Sequence, residues 1–257
     1  MRRDPEPDVR GYAVTHPPGR AALPTGPAWN QLVHAGSGSM RVSTASGSWT
    51  LPPHRALWLP GGQPVTVTNR SAVSVRTLYV SDKFDVLDGP ARVLQVGRFA
   101  GELVRHVVRV CPLRADDDHH AALITVVIDQ VRAMPSADLW LPLPTERRAV
   151  AFAEAALRDP VATTATLARH AGAGPRTLER LFSAETGLSL GVWRRRARIL
   201  GSIEQLAAGA SVTRAAMDAG YSTPSAYVAA FRRELGTAPR AFLTPADART
   251  RPDPPPV

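Results

Sequence analysis

The sequence predicts an α+β protein of two domains, with a β-rich N-terminal domain and an all-α C-terminal domain. Short segments of alternating polarity, separated by Gly and Pro, run from residue 29 to about residue 94, which is typical of a small β-barrel or sandwich. From about residue 146 onward, apolar residues recur at helical spacing instead. Within this helical half one pattern occurs twice, and 257 residues accommodate two domains of ordinary size.

The duplicated pattern preserves six positions of different chemical type. Ala168 and Gly172 recur 48 residues later as Ala216 and Gly220. The other four recur after 49 residues, as the pairs Pro175 and Pro224, Phe182 and Phe231, Glu185 and Glu234, Gly187 and Gly236. Such a repeat predicts two copies of one structural unit.

Each copy has the parts of a helix-turn-helix. A glycine permits a sharp turn, and a proline then lies at the start of a second helix, where its missing N–H costs nothing. Leu178, Leu181 and Phe182 form an apolar stripe that leaves the opposite face free. Gly187 and Gly236 predict left-handed caps at two helix ends. These features favour two helix-turn-helix units over a plain bundle of short helices.

Residues from about 143 to 243 resemble the DNA-binding domain of the AraC/XylS family of bacterial transcription regulators. The segment Pro-Arg-Thr-Leu-Glu-Arg-Leu-Phe at 175–182 resembles the first recognition helix of the family, and residues 220–239 resemble its most diagnostic segment. The resemblance implies double-stranded promoter or operator DNA as a partner and a cytoplasmic, nucleoid-associated protein. It leaves room for a contact with RNA polymerase.

The segment 47–62 is similar to the cupin-type sensor domain that precedes this DNA-binding domain in many family members. It implies a cupin-like β-barrel that binds a small-molecule effector. The candidate pocket residues are His34, Trp49, His54 and Trp58, although core positions suit both tryptophans equally and His54 is either packed or pocket-lining. The alternative is an architectural DNA-binding protein without an effector, whose barrel serves only for dimerisation.

Neither a metal site nor an active site is indicated. A divalent ion needs three or more convergent ligands, whereas His34 and His54 are the only histidines in the barrel region. Cys111 is the only cysteine, so it lacks the partners that a DNA-repair methyl acceptor with a related helix-turn-helix would need. We find no phosphate loop and no nucleophile elbow. The sequence therefore predicts a protein that is not an enzyme and that uses no metal or cofactor.

The charge balance favours a polyanionic partner. Lys plus Arg minus Asp plus Glu is 31 − 22 = +9, and Lys83 is the only lysine. Arginine suits bidentate contacts to phosphate and guanine, but a GC-rich genome explains the preference for arginine equally well. No apolar run approaches the roughly 20 residues of a membrane span, and no secretion signal is recognisable. A single cysteine fits a reducing cytoplasm.

The segments around the sensor domain are assigned from composition. Residues 1–27, rich in Pro, Arg and Gly, are predicted to be a disordered arm, with an effector-gated arm as the alternative. The sensor domain itself covers residues 28–96. Residues 97–136 contain two helices, and the second is apolar enough for a homodimer contact in addition to an intramolecular one. If it makes only the intramolecular one, both helices simply cover the barrel.

The remaining boundaries concern the helical half. Residues 137–145 contain two prolines and are predicted to be a short, stiff linker. The DNA-binding domain covers residues 146–244, and residues 245–257 are a disordered tail. Residues 188 to about 208 form the helix that joins the two units, and a helix of about 20 residues spans roughly 30 Å. Because one turn of DNA is roughly 34 Å, this helix would place two recognition helices in successive major grooves.

The candidate base contacts lie opposite the apolar stripes. In the first unit they are Arg176, Thr177, Glu179 and Arg180. Either arginine could donate twice to guanine, which is worth roughly 1–3 kcal/mol, while Glu179 either accepts from cytosine or holds an arginine in place. The equivalent residues of the second unit are short, namely Ser225, Ala226, Val228 and Ala229. The first unit is therefore predicted to carry most of the base discrimination.

Phosphate contacts are expected from arginines near helix ends and turns. The candidates are Arg194, Arg195, Arg232, Arg233 and Arg240. Arg198 is predicted to be structural instead. Relatives often carry longer polar residues on the second recognition helix, so this chain is expected to use its second unit mainly for phosphate contacts and DNA shape.

Overall fold

Two antiparallel sheets form the N-terminal domain, and nine short to medium helices flank and follow them in the described part of the chain. The computed structural model describes residues 6–24, 26, 28–45, 47–61 and 63–244. Within these residues the sheets face each other without closing into a barrel. The arrangement of a sheet-rich domain before a helical domain confirms the predicted α+β architecture of two domains, whereas the predicted closed β-barrel is replaced by two open sheets.

The first sheet has six strands and the second has five. The first contains, in spatial order, β1 (Val9–His16), β8 (Val73–Ser81), β3 (Trp29–Ser37), β6 (Arg55–Leu59), β9 (Arg92–Gln95) and β10 (Ser136–Ala137). The second contains β11 (Trp140–Pro142), β5 (Gly47–Leu51), β4 (Met40–Ser43), β7 (Val65–Asn69) and β2 (Gly19–Leu23). Every pairing is antiparallel.

Alternating side chains divide the first sheet between two cores. On its inner face, Val33 and Val75 are buried in the same cluster as Val42 and Val67 of the second sheet. On its outer face, Leu32, Trp58 and Leu78 pack against two helices, α1 (Arg98–Val110) and α2 (Asp118–Ala133). Apolar residues fill consecutive positions of β3 and β6 rather than every second one, so both faces of these strands can be buried.

The helix α2 begins within an acidic run, with Asp117 as its N-cap and Asp118 as its first residue. The side chain of Asp117 accepts a hydrogen bond from the backbone N–H of His120 at 2.9 Å, which caps the helix. Ile124, Val127 and Val131 are buried against the sheet, whereas Val126 on another face is 40% exposed. The helix therefore covers the sheet, and its role in a dimer stays a prediction.

The prediction of a disordered arm over residues 1–27 is wrong for residues 9–23. Strand β1 pairs along its whole length with β8, and Val9 is 1% exposed. Strand β2 pairs with β7 at the edge of the second sheet. The described prolines of the predicted arm lie outside the strands, with Pro7 before β1, Pro17 and Pro18 between β1 and β2, and Pro24 after β2, so they interrupt no ladder. Residues 1–5, 25 and 27 lie outside the described residues, as does the predicted tail 245–257.

The predicted linker 137–145 is also more ordered than expected. Its first part belongs to the sheets, since β10 pairs with β9 and β11 pairs with β5. The buried side chains of Leu139 and Leu141 hold this segment against the edges of both sheets. As a result, the sensor domain uses residues on both sides of its predicted limits 28–96.

The helical half contains the two predicted units. Its helices are α3 (Arg147–Arg158), α4 (Thr164–His170), α5 (Pro175–Thr186), α6 (Leu190–Ala207), α7 (Val212–Asp218), α8 (Pro224–Leu235) and α9 (Pro239–Phe242). The turns contain Gly172 and Gly220 at φ of 61° and 74°, and α5 and α8 begin with proline. Left-handed glycines end both recognition helices, α5 and α8, as predicted.

The helix α6 packs against the sensor domain through its N-terminal half. The indole N–H of Trp193 donates to the carbonyl of Pro142 at 2.6 Å, and the Nε of Arg196 donates to the carbonyl of Trp140 at 2.7 Å. One continuous buried cluster runs from the inner faces of the sheets into the helical half. The helix that joins the two helix-turn-helix units is thus attached to strand β11.

The duplicated glutamates both anchor their recognition helices. Glu185 accepts from the backbone N–H groups of Thr145 and Glu146, at 2.6 and 3.1 Å, just before α3. Glu234 instead accepts from the Nε of Arg195 in α6 at 3.0 Å. The repeat therefore preserves a carboxylate that fixes the C-terminal half of each recognition helix, although the two partners differ.

Candidate nucleic-acid interface and ligand cavity

The helix α6 supplies the frame on which both recognition helices lie. It has 18 residues, which corresponds to about 27 Å, and both α5 and α8 pack against it. Its N-terminus is capped by Ser189, and Trp193 near that end is fully buried beside Phe182 of α5. Near its other end, Ser202 bonds the hydroxyl of Tyr227 in α8 at 2.7 Å. These contacts hold the two units at a fixed separation.

The first recognition helix presents two arginines away from the core. Arg176 and Arg180 are exposed, and no salt bridge to either occurs within the described residues. Leu178, Leu181 and Phe182 are buried on the opposite face. Thr177 is partly exposed between the two faces. Both guanidinium groups are therefore exposed to solvent, and their contact with base edges stays a prediction.

Glu179 has a role that differs from both sequence-based alternatives. Its Oε2 accepts a hydrogen bond from the backbone N–H of Leu190 at 3.3 Å, and Leu190 is the first residue of α6. A carboxylate at a helix N-terminus is favoured by the helix dipole. Within the described residues, no hydrogen bond joins Glu179 to Arg176 or Arg180. We therefore assign Glu179 to anchoring α5 on α6.

The second recognition helix presents only short side chains. Ser225, Ala226 and Ala229 are exposed, and Val228 is half-buried. The hydroxyl of Thr223 accepts from the backbone N–H of Ala226 at 3.2 Å and so caps α8. This face offers a single side-chain hydrogen-bonding group, that of Ser225, which agrees with the expectation from the sequence.

The five arginines predicted to contact phosphate separate into two groups. Arg232, Arg233 and Arg240 are exposed at the end of α8 and on α9. Arg194 and Arg195 are engaged inside the domain. Arg194 donates to the carbonyl of Ala162 at 2.6 Å and to the hydroxyl of Thr164, and Arg195 pairs with Glu234. The prediction of phosphate contacts by Arg194 is corrected for this reason, because its donors already hold α4 on α6.

The remaining basic residues of the helical half are either engaged within the domain or exposed near a turn. Arg198 donates to the carbonyls of Ala219 and Gly220 and lies 4.4 Å from the ring centre of Tyr221, which confirms its predicted structural role. Arg169 and His170, which the sequence did not single out, are exposed in the last turn of α4. Their position directly before the turn at Gly172 is the signal that would have made them candidates for phosphate contacts.

The four predicted pocket residues do not share one cavity. Trp49 is 4% exposed in the core between the sheets, and Trp58 is 1% exposed beneath α1 and α2. Both are core residues. They lie in different cores because β5 and β6 belong to different sheets. His34 and His54 do come together, at a small cavity on the outer face of the first sheet. Both tryptophans therefore occupy the core positions that the sequence left open, and the four predicted residues do not form one effector pocket.

A larger cavity of about 490 Å³ opens between the two sheets at their β1 and β2 edges. Its walls are mainly apolar and aromatic, and include Tyr12, Leu23, Pro24, Trp29 and Tyr79. Tyr12 and Tyr79 meet edge to face with ring centres 5.6 Å apart, and burial raises the pKa of Tyr79. Polar groups come from Arg10, whose guanidinium lies 4.5 Å from the ring centre of Trp29, and from His16 and Thr77.

This cavity was not predicted from the sequence because β1 was assigned to a disordered arm. Every second residue of that strand, from Arg10 to His16, lines the cavity. Tyr12 and Val14 alternate with the small residues Gly11, Ala13 and Thr15, and this alternation was the available signal. In the same described part of the chain, no helix is long and apolar enough to cross a membrane.

Comparisons with known proteins support the helix-turn-helix assignment of the helical half. Residues 167–244, which include both recognition helices, match the family described as "Helix-turn-helix domain". The chain is 25% identical over 231 residues to the HTH-type transcriptional regulator NimR of Escherichia coli (strain K12), covering 87% of this chain and 84% of NimR. It is 34% identical over 105 residues to the HTH-type transcriptional regulator RipA of Corynebacterium glutamicum, covering 40% of this chain and 32% of RipA.

Among solved structures, the chain is similar to wild-type ToxT from Vibrio cholerae strain SCE256, whose structure contains a bound unsaturated fatty acid. The identity is 13%, the similarity covers 95% of this chain and 97% of ToxT, and the TM-score is 0.38.

Proposed function

We propose that the two helix-turn-helix units of this chain contribute unequally to base recognition. The chain belongs to the AraC/XylS family of DNA-binding transcription regulators. The observation that carries this proposal is the contrast between the exposed faces of α5 and α8. The first face presents Arg176 and Arg180, whereas the second presents Ser225 and Ala226. Bidentate arginine contacts to guanine discriminate strongly between bases, and short side chains do so weakly.

The expected spacing of the two operator half-sites follows from the length of α6. Because this helix of about 27 Å separates two recognition helices of similar build, both would reach the major groove on one face of the duplex, about one turn apart. Phosphate contacts by Arg232, Arg233 and Arg240 would hold the second unit in place without reading bases. Arg169 and His170 would serve the first unit in the same way.

The test is selection of bound sequences from a random double-stranded pool by the full-length chain. We expect two half-sites with centres about 10 base pairs apart, with guanines and most of the sequence information in one of them. Equal information in both half-sites, or a spacing that is not a helical turn, would contradict unequal reading.

We also propose that a small-molecule effector binds in the cavity between the sheets. Its volume lies in the usual range for ligand pockets, and its apolar walls carry few polar groups. The second sheet borders this cavity through β2, and its other strands β5 and β11 pack against α6. A ligand that changes the position of β2 therefore acts on the sheet that supports the DNA-reading helices.

The alternative is an effector-independent architectural protein. A thermal-shift screen of small apolar and aromatic metabolites separates the two, since a ligand that binds only the native state raises the melting temperature. A ligand of the cavity should lose its effect in Tyr12→Ala and keep it in Trp140→Ala, whose side chain is exposed on β11. If no compound stabilises the protein through this cavity, the architectural function is favoured.

The remaining proposals concern assembly. The exposed face of α2, which includes Val126, supports a homodimer because the opposite face is already occupied by the sheet. Sedimentation of the wild type and of Val126→Asp tests it, since a charge at the contact should shift the equilibrium toward the monomer. An unchanged sedimentation coefficient would place any dimer contact elsewhere.

A further inference from the structure

The smaller cavity on the outer face of the first sheet has the composition of an anion site. Its volume is about 110 Å³, and it lies between β3, β8, the turn before β6 and the start of α1. At roughly 30 Å³ for each water molecule, it has room for about four waters, or for one small polyatomic ion. The larger cavity is separate, because it opens on the inner face of the same sheet.

Positive charge exceeds negative charge around this cavity. Arg76, Arg98 and Arg105 line it, and Glu102 is the one carboxylate among its described lining residues. Glu102 is paired with Arg105. No salt bridge to Arg76 exists within the ranges that the structure describes. The guanidinium of Arg76 therefore leaves positive charge at the cavity, which an oxyanion would compensate.

A buried histidine lacks a hydrogen-bond partner at the same place. His34 is 6% exposed, and its Nδ1 is buried with no partner in the described residues. Burial, with Arg76 as the next cause, lowers the pKa of His34 to about 4. The imidazole is therefore neutral near pH 7 and can donate from Nδ1–H to an oxygen atom placed in the cavity.

The backbone around the cavity is shaped to let Arg76 enter it. A Cβ atom at Gly36 would lie 1.8 Å from Nη1 of Arg76, so the guanidinium lies directly against the main chain of β3. On the opposite wall, α1 begins at the N-cap residue Gly97, which has no side chain to cap the helix. The N-terminus of that 13-residue helix adds partial positive charge on the same side.

We propose that this cavity binds one small tetrahedral oxyanion, either free inorganic phosphate or the phosphate group of a small metabolite. Arg76 and Arg105 would donate to its oxygens from the sheet side and the helix side, and Nδ1 of His34 would donate from below. Such a ligand would join α1 to the sheet, and so it provides the regulator with an input separate from the cavity between the sheets.

The test measures the melting temperature of the full-length chain in inorganic phosphate, with sodium chloride of equal ionic strength as the reference. We expect a saturable increase that Arg109→Gln retains, because Arg109 is exposed on α1 and does not line the cavity. Arg76→Gln should weaken the apparent affinity about tenfold or more, since it removes a charge-assisted contact. Gly36→Ala should do the same by displacing the guanidinium.

A parallel titration with methyl phosphate distinguishes the two sources of the anion. Stabilisation by methyl phosphate at similar concentrations indicates a phosphorylated metabolite, and stabilisation by inorganic phosphate alone indicates the free ion. No saturable increase with either compound, or the same increase in Arg76→Gln as in Arg109→Gln, would overturn the proposal. DNA binding by Arg76→Gln in phosphate-free buffer should equal that of the wild type, so this site can fail without the proposed DNA function failing.

Discussion

The carboxylate of Glu204 in α6 lies 3.5 Å from the guanidinium of Arg41 in β4. A second arginine, Arg70, lies 3.4 Å from the other carboxylate oxygen. Glu204 is only 7% exposed, whereas its partners are 20% and 58% exposed. These two contacts tie the C-terminal half of α6 to the second sheet, while Trp193 and Arg196 tie its N-terminal half to β11. The joining helix is therefore held by the sensor domain at both ends.

The first prediction compares the two arginines by double-mutant cycles. Combining Glu204→Gln with Arg41→Gln should give a coupling energy of about 1–3 kcal/mol, because both groups are largely removed from water. Combining it with Arg70→Gln should give less than about 1 kcal/mol, because solvent screens the exposed partner. The measurement is the free energy of unfolding in urea. A larger coupling with Arg70 would contradict the assignment of Arg41 as the principal partner.

The second prediction separates base contacts from phosphate contacts. Arg180→Ala should relax the base preference at one position of the operator, at a cost of roughly 1–3 kcal/mol for the preferred sequence. Arg233→Ala should weaken binding to all sequences and reduce the slope of log affinity against log salt by about one. Selection and salt titration measure the two effects. Arg109→Ala, on the sensor domain, is the control. Unchanged base preference in Arg180→Ala would refute the role of that residue.

The third prediction concerns two arginines that sequence analysis placed in the same class. Arg194→Ala should lower the free energy of unfolding by about 1–3 kcal/mol, since the carbonyl of Ala162 and the hydroxyl of Thr164 lose their donor. Arg232→Ala, at an exposed position, should change it by less than about 0.5 kcal/mol but reduce the salt slope of DNA binding by about 0.9. Urea unfolding and salt titration of both variants test this. The reverse pattern would return Arg194 to the DNA surface.

Sequence reasoning identified the helical half well because its signals are local. The turn glycines, the prolines at the start of α5 and α8, and the stripe from Leu178 to Phe182 each specify structure within a few residues. Local signals do not show which arginines are exposed and which are engaged inside the domain. Arg194 and Arg232 both lie on helices near turns, and only the neighbours brought by the fold, such as Ala162, decide between them.

The N-terminal domain was predicted less completely because strand pairing joins distant residues. Strand β1 is flanked by prolines and glycines, and its partner β8 begins more than 50 residues later in the chain. Both cavities also form between distant segments, so no local pattern could place Tyr12 beside Tyr79 or His34 beside Arg76. Trp49 and Trp58 are only nine positions apart, yet they lie in different cores because the chain changes sheet at His54.

The fourth prediction concerns the pH dependence of stability through His34. The pKa of His34 is about 4 in the folded protein, compared with 6.5 for an unperturbed histidine. As pH falls below 6.5, the unfolded chain takes up a proton that the folded chain does not, so stability falls until about pH 4. The full loss is about 3 kcal/mol.

Comparison of the wild type with His34→Asn isolates this contribution. The stability difference between the two proteins should shrink as pH falls from 7 to 4.5 in phosphate-free buffer, as measured by urea unfolding. Arg76, Arg105 and His54 surround the imidazole and are unchanged in the variant, so they cancel in the difference. A difference that does not vary with pH would mean that His34 titrates normally.

The fifth prediction compares the two turn glycines. Gly172 and Gly220 have φ of 61° and 74°, so alanine at either position pays the cost of a left-handed backbone, about 1–2 kcal/mol. A Cβ at Gly172 would meet no atom within 4 Å, whereas a Cβ at Gly220 would lie 2.9 Å from Nη2 of Arg198. That guanidinium is held by the carbonyls of Ala219 and Gly220, so it cannot move without losing both bonds.

We therefore expect Gly220→Ala to destabilise the protein more than Gly172→Ala, although the repeat makes the two glycines equivalent in sequence. Urea unfolding of both variants gives the comparison, and Arg198→Ala combined with Gly220→Ala should remove the excess cost of the glycine substitution. Equal costs for the two single variants would show that Arg198 accommodates the methyl group freely. In that case the contact of Arg198 with the second turn would not help to position α8.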